Sequence, residues 1–374
     1  MTDNPDGRNF VRPIGSDEEG MALALEWAAR GLYTTTPNPR VGCVIVQEGC
    51  VIGAGFTQPA GQAHAEVEAL RAAARDGHAV RGATVYVTLE PCSHHGRTPP
   101  CADALVAAGV ARVVVAIADP NPLVAGAGLA TLQAAGIATR CNVMAEAARE
   151  LNIGFFSRMQ RGRPWVRMKS AASLDGKTAL GDGRSQWITG APARADGHAW
   201  RARACAILTG IGTVLEDDPQ LTVRDVATSR QPLRIVVDSG LAISLTARVL
   251  AGGGTLVVAA RSDPVKEAAL RAAGCEVLVL PNPSGKVDLA ALMTELGRRG
   301  INELHVEAGT KLNGSLVREG CVDELLLYVA PSLLGQARGM FDLAPLASLD
   351  QARQLQFHEF RQIGRDLRIL ARFT

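Results

Sequence analysis

The chain has 374 residues, 47% of them hydrophobic and 20% charged, so it is long enough for two globular domains and leaves little room for long disordered segments. Its formal net charge of +2 argues against the broad basic surface that binds nucleic-acid phosphates. No apolar run is long enough to cross a bilayer, and the polar start MTDNPDGRNF lacks a signal-peptide core, so we expect a cytoplasmic protein with reduced thiols.

The first half predicts a three-layer α/β domain. MALALEWAARG has helical apolar spacing that ends at Gly31, and VGCVIV and VIGAG predict a hairpin around a Glu-Gly turn. A second helix is predicted for HAEVEALRAAARDG. The buried runs ATVYVTLE (83–90) and RVVVAIAD (112–119), on either side of the short helix ADALVAAG, then favour a sheet covered by helices on both faces.

A basic stretch containing Gly162 and Pro164 marks the predicted domain boundary. We therefore expect a polar lead over 1–16, a first domain over 17–162 and a second over 163–374. The second half repeats a strand-and-helix rhythm, with strands predicted at ACAILTG, LRIVVDS, GTLVVAA, CEVLVL, ELHVEAG and ELLLYVAP. This pattern predicts a second α/β domain.

Three residues of the first half have the chemistry of a zinc site. His64 begins a predicted helix, Cys92 follows a predicted strand, and Cys101 returns after the loop SHHGRTPP. Three protein ligands leave one position of a tetrahedral zinc open for water, as in catalytic sites. Glu66 can share this site only if His64 lies at the helix entrance, because residues two apart in a regular helix face nearly opposite directions.

H-x-E followed by P-C and a second cysteine is typical of zinc-dependent nucleobase deaminases, in which the glutamate carries protons. This chain departs from the common form, because eight residues rather than two separate its cysteines. Taken singly, the His-Glu pair also fits a surface or capping pair, and the cysteines also fit small buried residues. Their combination with a strand and a helix favours the zinc site.

The motifs TPNPRVGCVIV, HAE, PCSHHGRTPPC and DPNPLVAGAG closely resemble the deaminase half of the bacterial bifunctional riboflavin-biosynthesis deaminase/reductase family. The resemblance continues through KSAASLDGKTAL, SQWITG, LTGIGTVLEDDPQLTVR and VEAGTKLNGS, and it covers residues 17–374. It implies a cytidine-deaminase-like domain that hydrolyses the 2-amino group of 2,5-diamino-6-ribosylamino-4(3H)-pyrimidinone 5′-phosphate. A dihydrofolate-reductase-like domain would then reduce the ribosyl group to ribityl with NADPH.

The resemblance also implies roles for individual residues of the first domain. His64, Cys92 and Cys101 resemble the zinc ligands, and Glu66 resembles the catalytic proton donor. Asn38 resembles a residue that binds the pyrimidine, although its place between two prolines equally fits a turn. Substrate-binding loop positions are implied for His94 and Arg97, which equally fit a solvated loop tip; family loops often carry lysine at position 97.

The second half contains no complete G-x-G-x-x-G motif, so its residues alone predict an α/β domain with an unknown ligand. The resemblance implies NADPH-binding positions at Ala171, Trp187, Thr213, Asp217, Ser239, Gly309, Thr310, Lys311, Leu312, Asn313, Gly314 and Ser315. It implies substrate-binding positions at Ser185, Arg201, Leu221, Arg224 and Glu307. Arg201 and Arg224 have the chemistry to clamp the ribose 5′-phosphate, and no general acid for the reduction is evident.

Two other functions stay open on the sequence. The first is a zinc deaminase that acts on another nucleoside or on a tRNA base, which the near-neutral charge and the second domain argue against. The second makes the C-terminal half a non-catalytic ligand-binding or assembly module. The family resemblance further implies a homo-oligomer, a dimer or larger, assembled through the reductase domain.

Overall fold

The computed structural model describes residues 13–93, 100–122 and 125–374, which form two compact units divided between Gln160 and Arg161. Each unit has its own sheet and its own apolar core. No helix in the described part of the chain is both long and apolar enough to span a membrane. The predicted limit between residues 162 and 163 lies close to the division between the units.

The first unit is built on a five-stranded sheet with the order β2-β1-β3-β4-β5, in which β1 runs antiparallel to β2 and β3, and β3, β4 and β5 are parallel. The strands are β1 (Gly42–Gln47), β2 (Cys50–Phe56), β3 (Thr84–Val87), β4 (Arg112–Val115) and β5 (Ala138–Arg140). The helices are α1 (Asp17–Ala29), α2 (Ala65–Arg75), α3 (Cys101–Ala108), α4 (Ala127–Ala134), α5 (Ala145–Leu151) and α6 (Ile153–Arg161).

Two glycines show that helices cover both faces of this sheet. A Cβ added to Gly42 would lie 1.9 Å from the Ala24 carbonyl oxygen of α1, and one added to Gly55 would lie 2.7 Å from the Ala69 nitrogen of α2. Gly55 pairs with Cys43, the neighbour of Gly42, so the two glycines face opposite sides of the sheet. The three-layer α/β/α arrangement predicted from the sequence is therefore confirmed.

Two element ends differ from the predictions. The first helix begins at Asp17 because the Ser16 side chain accepts a hydrogen bond from the Glu19 amide, a cap that apolar spacing does not reveal. The strand before Cys92 ends at Val87, and Thr88–Glu90 continue beyond it outside the regular ladder.

The second unit contains a nine-stranded sheet with the order β11-β10-β9-β8-β12-β6-β13-β16-β15, parallel from β11 to β13 and antiparallel in its last two pairings. Its strands are β6 (Trp165–Ser173), β7 (Lys177–Ala179), β8 (Ala206–Gly210), β9 (Leu233–Val237), β10 (Thr255–Ala259), β11 (Cys275–Val279), β12 (Glu303–Val306), β13 (Glu324–Ala330), β14 (Arg338–Gly339), β15 (Leu355–Ile363) and β16 (Asp366–Phe373). Its helices are α7 (Ala191–Arg203), α8 (Ile211–Asp217), α9 (Pro264–Ala272), α10 (Leu289–Arg298) and α11 (Thr310–Arg318), and β7 pairs with β14 outside the main sheet.

Charged residues in the centre of this sheet are paired. Arg167 of β6 is 2% exposed, and its guanidinium lies 2.9 Å from a Glu303 carboxylate oxygen and 2.5 Å from one of Glu324. Arg203 and Arg372 contact the same two carboxylates. A buried charge is tolerated when it is paired and hydrogen-bonded, so this network joins β6, β12 and β13 below the edge where their carboxyl ends meet.

Candidate functional site

The structure brings His64, Cys92 and Cys101 together in the first unit. The Nδ1 atom of His64 lies 3.6 Å from Cys92 Sγ and 3.3 Å from Cys101 Sγ, and all three atoms lie within 4.8 Å of one another. Other described histidine, cysteine and acidic side chains do not join this group as ligands. The cluster thus presents one imidazole nitrogen and two sulfurs to a common point.

Each ligand lies at the end of a regular element. His64 is the N-cap residue of α2 and has extended backbone angles, φ −78° and ψ 166°, so it lies outside the regular helix as the sequence requires. Cys92 follows the carboxyl end of β3, and Cys101 is the first residue of α3. The Cys101 amide donates to Cys92 Sγ over 3.3 Å, and the Ala102 amide donates to the Cys92 carbonyl oxygen over 3.2 Å.

This geometry fits zinc. Zinc–nitrogen and zinc–sulfur bonds of about 2.1 and 2.3 Å at a tetrahedral angle separate their ligand atoms by about 3.6 Å, close to the separations found here. One nitrogen and two thiolate sulfurs form a donor set that zinc prefers, and three protein ligands leave one coordination position for a substrate or water.

Glu66 lies in the first turn of α2, beside the three ligands, and is 4% exposed. Burial raises the pKa of its carboxyl to about 7, with the Cys92 sulfur adding to the shift. The hydrogen bond with Cys101 lowers the pKa of the Cys92 thiol to about 4, and the same contact raises that of Cys101. The site therefore contains a Cys92 sulfur that is easily deprotonated and a Glu66 carboxyl that can both accept and release a proton near neutral pH.

The three predicted substrate contacts of the deaminase stay predictions. Asn38 is half-buried in the turn before β1. Its backbone N–H donates to the Thr35 carbonyl oxygen over 3.0 Å, so it also has the turn role that the sequence suggested. His94 and Arg97 lie outside the described residues.

The second unit contains a cavity of about 1670 Å³ at the carboxyl ends of β6, β8, β9, β12 and β13. Pockets for one small ligand are typically about 300–1,000 Å³, so this cavity has room for a dinucleotide and a second substrate together. Its position agrees with the rule that open α/β sheets bind ligands at the carboxyl ends of their strands.

Most of the predicted reductase residues line this cavity. They are Ala171, Ser185, Trp187, Arg201, Thr213, Asp217, Leu221, Arg224, Glu307 and Gly309 to Asn313. Trp187 is 67% exposed, and Arg194 stacks over its ring at 4.5 Å, so it is a surface residue of the cavity rather than part of the core. Ser239, Gly314 and Ser315 are not among the lining residues. Gly314 instead packs against the backbone of Asp342, where an added Cβ would lie 2.1 Å from the carbonyl oxygen.

Arg201 does not have the free guanidinium that a bidentate phosphate clamp requires. Its Nε and Nη2 atoms donate to the two oxygens of Glu307 over 2.5 and 2.8 Å, and its Nη1 donates to the Thr222 carbonyl oxygen. Burial alone would raise the pKa of Glu307, but the Arg201 guanidinium holds it well below its usual range. Arg224 is exposed, and its guanidinium contacts only neutral oxygens of Gln220 and Thr222 among the described residues, so it is the better phosphate ligand.

Sequence reasoning missed Lys169 and Tyr328, which also line the cavity. Burial lowers the pKa of the Lys169 ammonium; the Glu307 carboxylate opposes this shift, and Arg201 adds to it. The Tyr328 hydroxyl donates to an Asp196 carboxylate oxygen over 2.5 Å. The signal for Lys169 was present, because a second basic residue two positions after Arg167 is unusual in the apolar strand WVRMKSAAS.

The first turn of α11 suits a dinucleotide phosphate. Gly309 is its N-cap and contributes no side-chain cap, so backbone amides of the first turn can bind an anion. A Cβ at Gly309 would lie 3.6 Å from Thr213 Oγ1, which shows how closely α8 and α11 approach at this point. The residues present at the cavity therefore fit NADPH.

Comparisons with known proteins agree with a zinc site in the first unit and a nucleotide cavity in the second. Residues 14–117 match the family model for the cytidine and deoxycytidylate deaminase zinc-binding region, and residues 164–369 match that for the RibD C-terminal domain. The riboflavin biosynthesis protein RibD of Escherichia coli K12 is 49% identical over 94% of this chain and 98% of its own. Its counterpart in Aquifex aeolicus is 40% identical over 96% and 98% of the two chains.

Solved structures show the same similarity over 96% of this chain. Acinetobacter baumannii RibD superposes with a TM-score of 0.87 at 42% identity and covers 96% of this chain and 99% of its own. A diaminohydroxyphosphoribosylaminopyrimidine deaminase/5-amino-6-(5-phosphoribosylamino)uracil reductase of Thermotoga maritima has a TM-score of 0.85 at 31% identity, with the same coverage.

Replacing one sulfur ligand should remove the metal. We expect Cys101→Ser to lower zinc bound per chain from about one to well below one, because a serine hydroxyl does not supply a thiolate. Elemental analysis after dialysis against a weak chelator measures this stoichiometry. The exposed Cys50→Ser is the matched control and should keep its zinc; equal zinc in both variants would contradict the ligand assignment.

Proposed function

Because this chain belongs to the RibD family of bifunctional riboflavin-biosynthesis enzymes, it is a zinc-dependent pyrimidine deaminase joined to an NADPH-dependent reductase, and we propose which of its residues perform each step. The substrate is 2,5-diamino-6-ribosylamino-4(3H)-pyrimidinone 5′-phosphate. The first unit removes its 2-amino group as ammonia, and the second reduces the ribosyl group to ribityl. The main observation that supports this proposal is the cluster of His64, Cys92 and Cys101, with Glu66 buried beside it.

His64, Cys92 and Cys101 would hold the zinc, which when bound lowers the pKa of water towards about 7 and so makes it a nucleophile. Glu66 performs the proton transfers. Its carboxylate accepts one proton from the attacking water and delivers it to a ring nitrogen. It then accepts the second proton from the hydroxyl that has added to C2 and delivers it to the amino group, which leaves as ammonia. A carboxyl with a pKa near 7 suits this exchange, since both of its protonation states are populated at neutral pH. We assign pyrimidine binding to Asn38, and His94 and Arg97 to the loop beside the substrate.

In the second unit, we assign NADPH to the wall formed by Ala171, Trp187, Thr213, Asp217 and the start of α11, with Ser239, Gly314 and Ser315 as supporting positions. NADPH supplies the hydride. Ser185, Leu221 and Arg224 would hold the phosphorylated substrate, and Arg201 keeps the Glu307 carboxylate ionised and fixed. Lys169 of β6 and Glu307, which follows the neighbouring strand β12, both line the cavity, so we assign to this ionisable pair the proton that accompanies hydride transfer.

We also propose that the chain forms a homo-oligomer through β15 and β16. The bulge between Phe357 and Glu359 turns Phe357 and Phe360 to the same side of the edge strand, with ring centroids 5.6 Å apart. These rings are 64% and 63% exposed, and Leu367 of the neighbouring strand is 40% exposed. An exposed apolar face on a sheet-edge strand is the kind of surface that a second copy covers.

The eight cysteines are all free thiols, including the two proposed zinc ligands. Thiols persist in the reducing cytoplasm, whereas oxidising compartments pair them. We therefore propose the cytoplasm as the site of both reactions.

A single assay tests the two-step function. The purified chain should oxidise NADPH when given the diaminopyrimidinone ribosylamine phosphate with no other enzyme present. Glu66→Gln should lower this rate by about 10²- to 10⁴-fold, because the proton carrier is lost, and should still oxidise NADPH on the deaminated intermediate. The half-buried Glu68→Gln on the same helix is the control. Normal ammonia release by Glu66→Gln would refute its role, and no NADPH oxidation on the intermediate by the unmodified chain would refute the reductase.

Arg224 should affect binding of the substrate phosphate rather than the chemical step. A hydrogen bond to a charged group contributes about 1.5–3 kcal/mol, so we expect Arg224→Gln to raise the reductase KM by about 10- to 100-fold with little change in kcat. Steady-state kinetics on the deaminated intermediate measure the change. With the dephosphorylated intermediate the variant and the unmodified chain should have similar KM values; an equal KM penalty on both substrates would contradict a phosphate contact.

The oligomer proposal depends on the apolar face of β15. The double variant Phe357→Lys and Phe360→Lys should behave as a monomer in light scattering coupled to size-exclusion chromatography, because two buried like charges would oppose association. Leu349→Lys, at a residue that is 89% exposed, is the control and should keep the original mass. An unchanged mass in the double variant would place the interface elsewhere.

A further inference from the structure

Glu90 is a buried carboxylate that neither proposed reaction uses. It lies two positions before Cys92 and is 3% exposed. Both carboxylate oxygens accept hydrogen bonds from backbone amides of a separate segment. The donors to Oε2 are the amides of Asp119 at 3.1 Å and Gly126 at 3.0 Å, and the donors to Oε1 are those of Gly128 at 3.0 Å and Leu129 at 3.2 Å.

The segment held by Glu90 is the motif DPNPLVAGAG with the start of α4, a motif whose role the sequence left open. One carboxylate binds both its beginning and its end. The contact is close, because a Cβ added to Gly128 would lie 1.9 Å from the Pro91 carbonyl oxygen. The Glu90 amide in turn donates to the Ile117 carbonyl oxygen over 3.0 Å, which continues the pairing between the two chain segments.

This clamp acts directly on the backbone that carries Cys92. Pro91 lies between Glu90 and Cys92, and it is pressed against the segment by Gly128. On its other side Cys92 is held by α3, through the amide of Ala102 and that of Cys101. Cys92 therefore lies between two backbone anchors, and Glu90 supplies one of them.

We propose that Glu90 is a positioning residue for the metal centre, which sets the Cys92 sulfur at the correct place relative to His64 and Cys101. The inference rests on the proposed zinc ligands. Four amide donors require a group that only accepts hydrogen bonds. Glutamine has the same shape but would turn an NH₂ group towards two of these donors, so Glu90→Gln removes the clamp with minimal change in volume. Groups that orient a metal ligand typically affect metal affinity or activity by about 10- to 100-fold.

The test compares the full-length unmodified chain with Glu90→Gln and with Glu26→Gln, an exposed glutamate of α1 in the same unit. Zinc affinity is measured by competition with a chromophoric chelator on the chelator-stripped proteins. Amide hydrogen exchange is measured over 119–129. We expect Glu90→Gln to weaken zinc binding by about 10- to 100-fold, to speed exchange at Gly126, Gly128 and Leu129, and to lower deaminase kcat with zinc limiting. Reductase turnover on the deaminated intermediate should stay normal, and Glu26→Gln should match the unmodified chain.

The outcomes separate this inference from the function on which it rests. A Glu90→Gln protein that unfolds at lower temperature but keeps normal zinc affinity and deaminase kcat would show a purely structural role and overturn the proposal. An unmodified chain that binds no zinc would refute the ligand set itself. If Glu90→Gln does not fold, Glu90→Asp is tested instead, because aspartate keeps the charge on a side chain that is one methylene shorter. Zinc affinity between those of the unmodified chain and a Cys101→Ser variant then supports the clamp, and unchanged affinity overturns it.

Discussion

Parallel strands that are covered on both faces can offer polar groups to a ligand mainly where they end, and both sites of this protein depend on that constraint. In the first unit, Cys92 follows β3, and His64 and Cys101 are the first residues at two helix entrances. In the second unit, Glu307 follows β12, and Gly210 ends β8 at the same cavity. The apolar cores beneath these ends hold the strands in register, so ligands from distant parts of the chain meet at one edge.

The second unit shows how buried charge is organised below such an edge. Arg167 is enclosed by Glu303 and Glu324. Glu307, four positions after Glu303 and just beyond the end of β12, is held by Arg201. Because an unpaired charge inside a protein is costly, each carboxylate has an arginine partner. Arg201 is therefore paired with Glu307, and of the two arginines predicted to clamp the phosphate only Arg224 is exposed.

Much of this organisation follows from local pattern. Apolar periodicity located β1 to β4 and β8 to β13, but it did not predict β5, β6, β15 or β16. The two-residue spacing of His64 and Glu66 required a helix entrance, where the structure has it. The failures have local causes. The side chain of Ser16 extends α1 beyond its apolar stripe, and the strand before Cys92 leaves the regular ladder after Val87. Lys169 was missed because its basic stretch predicts a domain boundary rather than the strand β6 that carries it.

The sequence by itself determined the fold class, the zinc donor types and the family of the chain, since these depend on residue identity, short spacings and motif order. Only the tertiary structure decided which charged groups meet. Arg201 and Glu307 lie 106 positions apart, and the Glu90 carboxylate binds amides 29 to 39 positions away. Such pairings follow from how strands and loops pack against one another, and a backbone amide donor leaves no mark in the residue type that carries it. The spacing that predicted the zinc ligands therefore contained no sign of the carboxylate that we propose holds one of them in place.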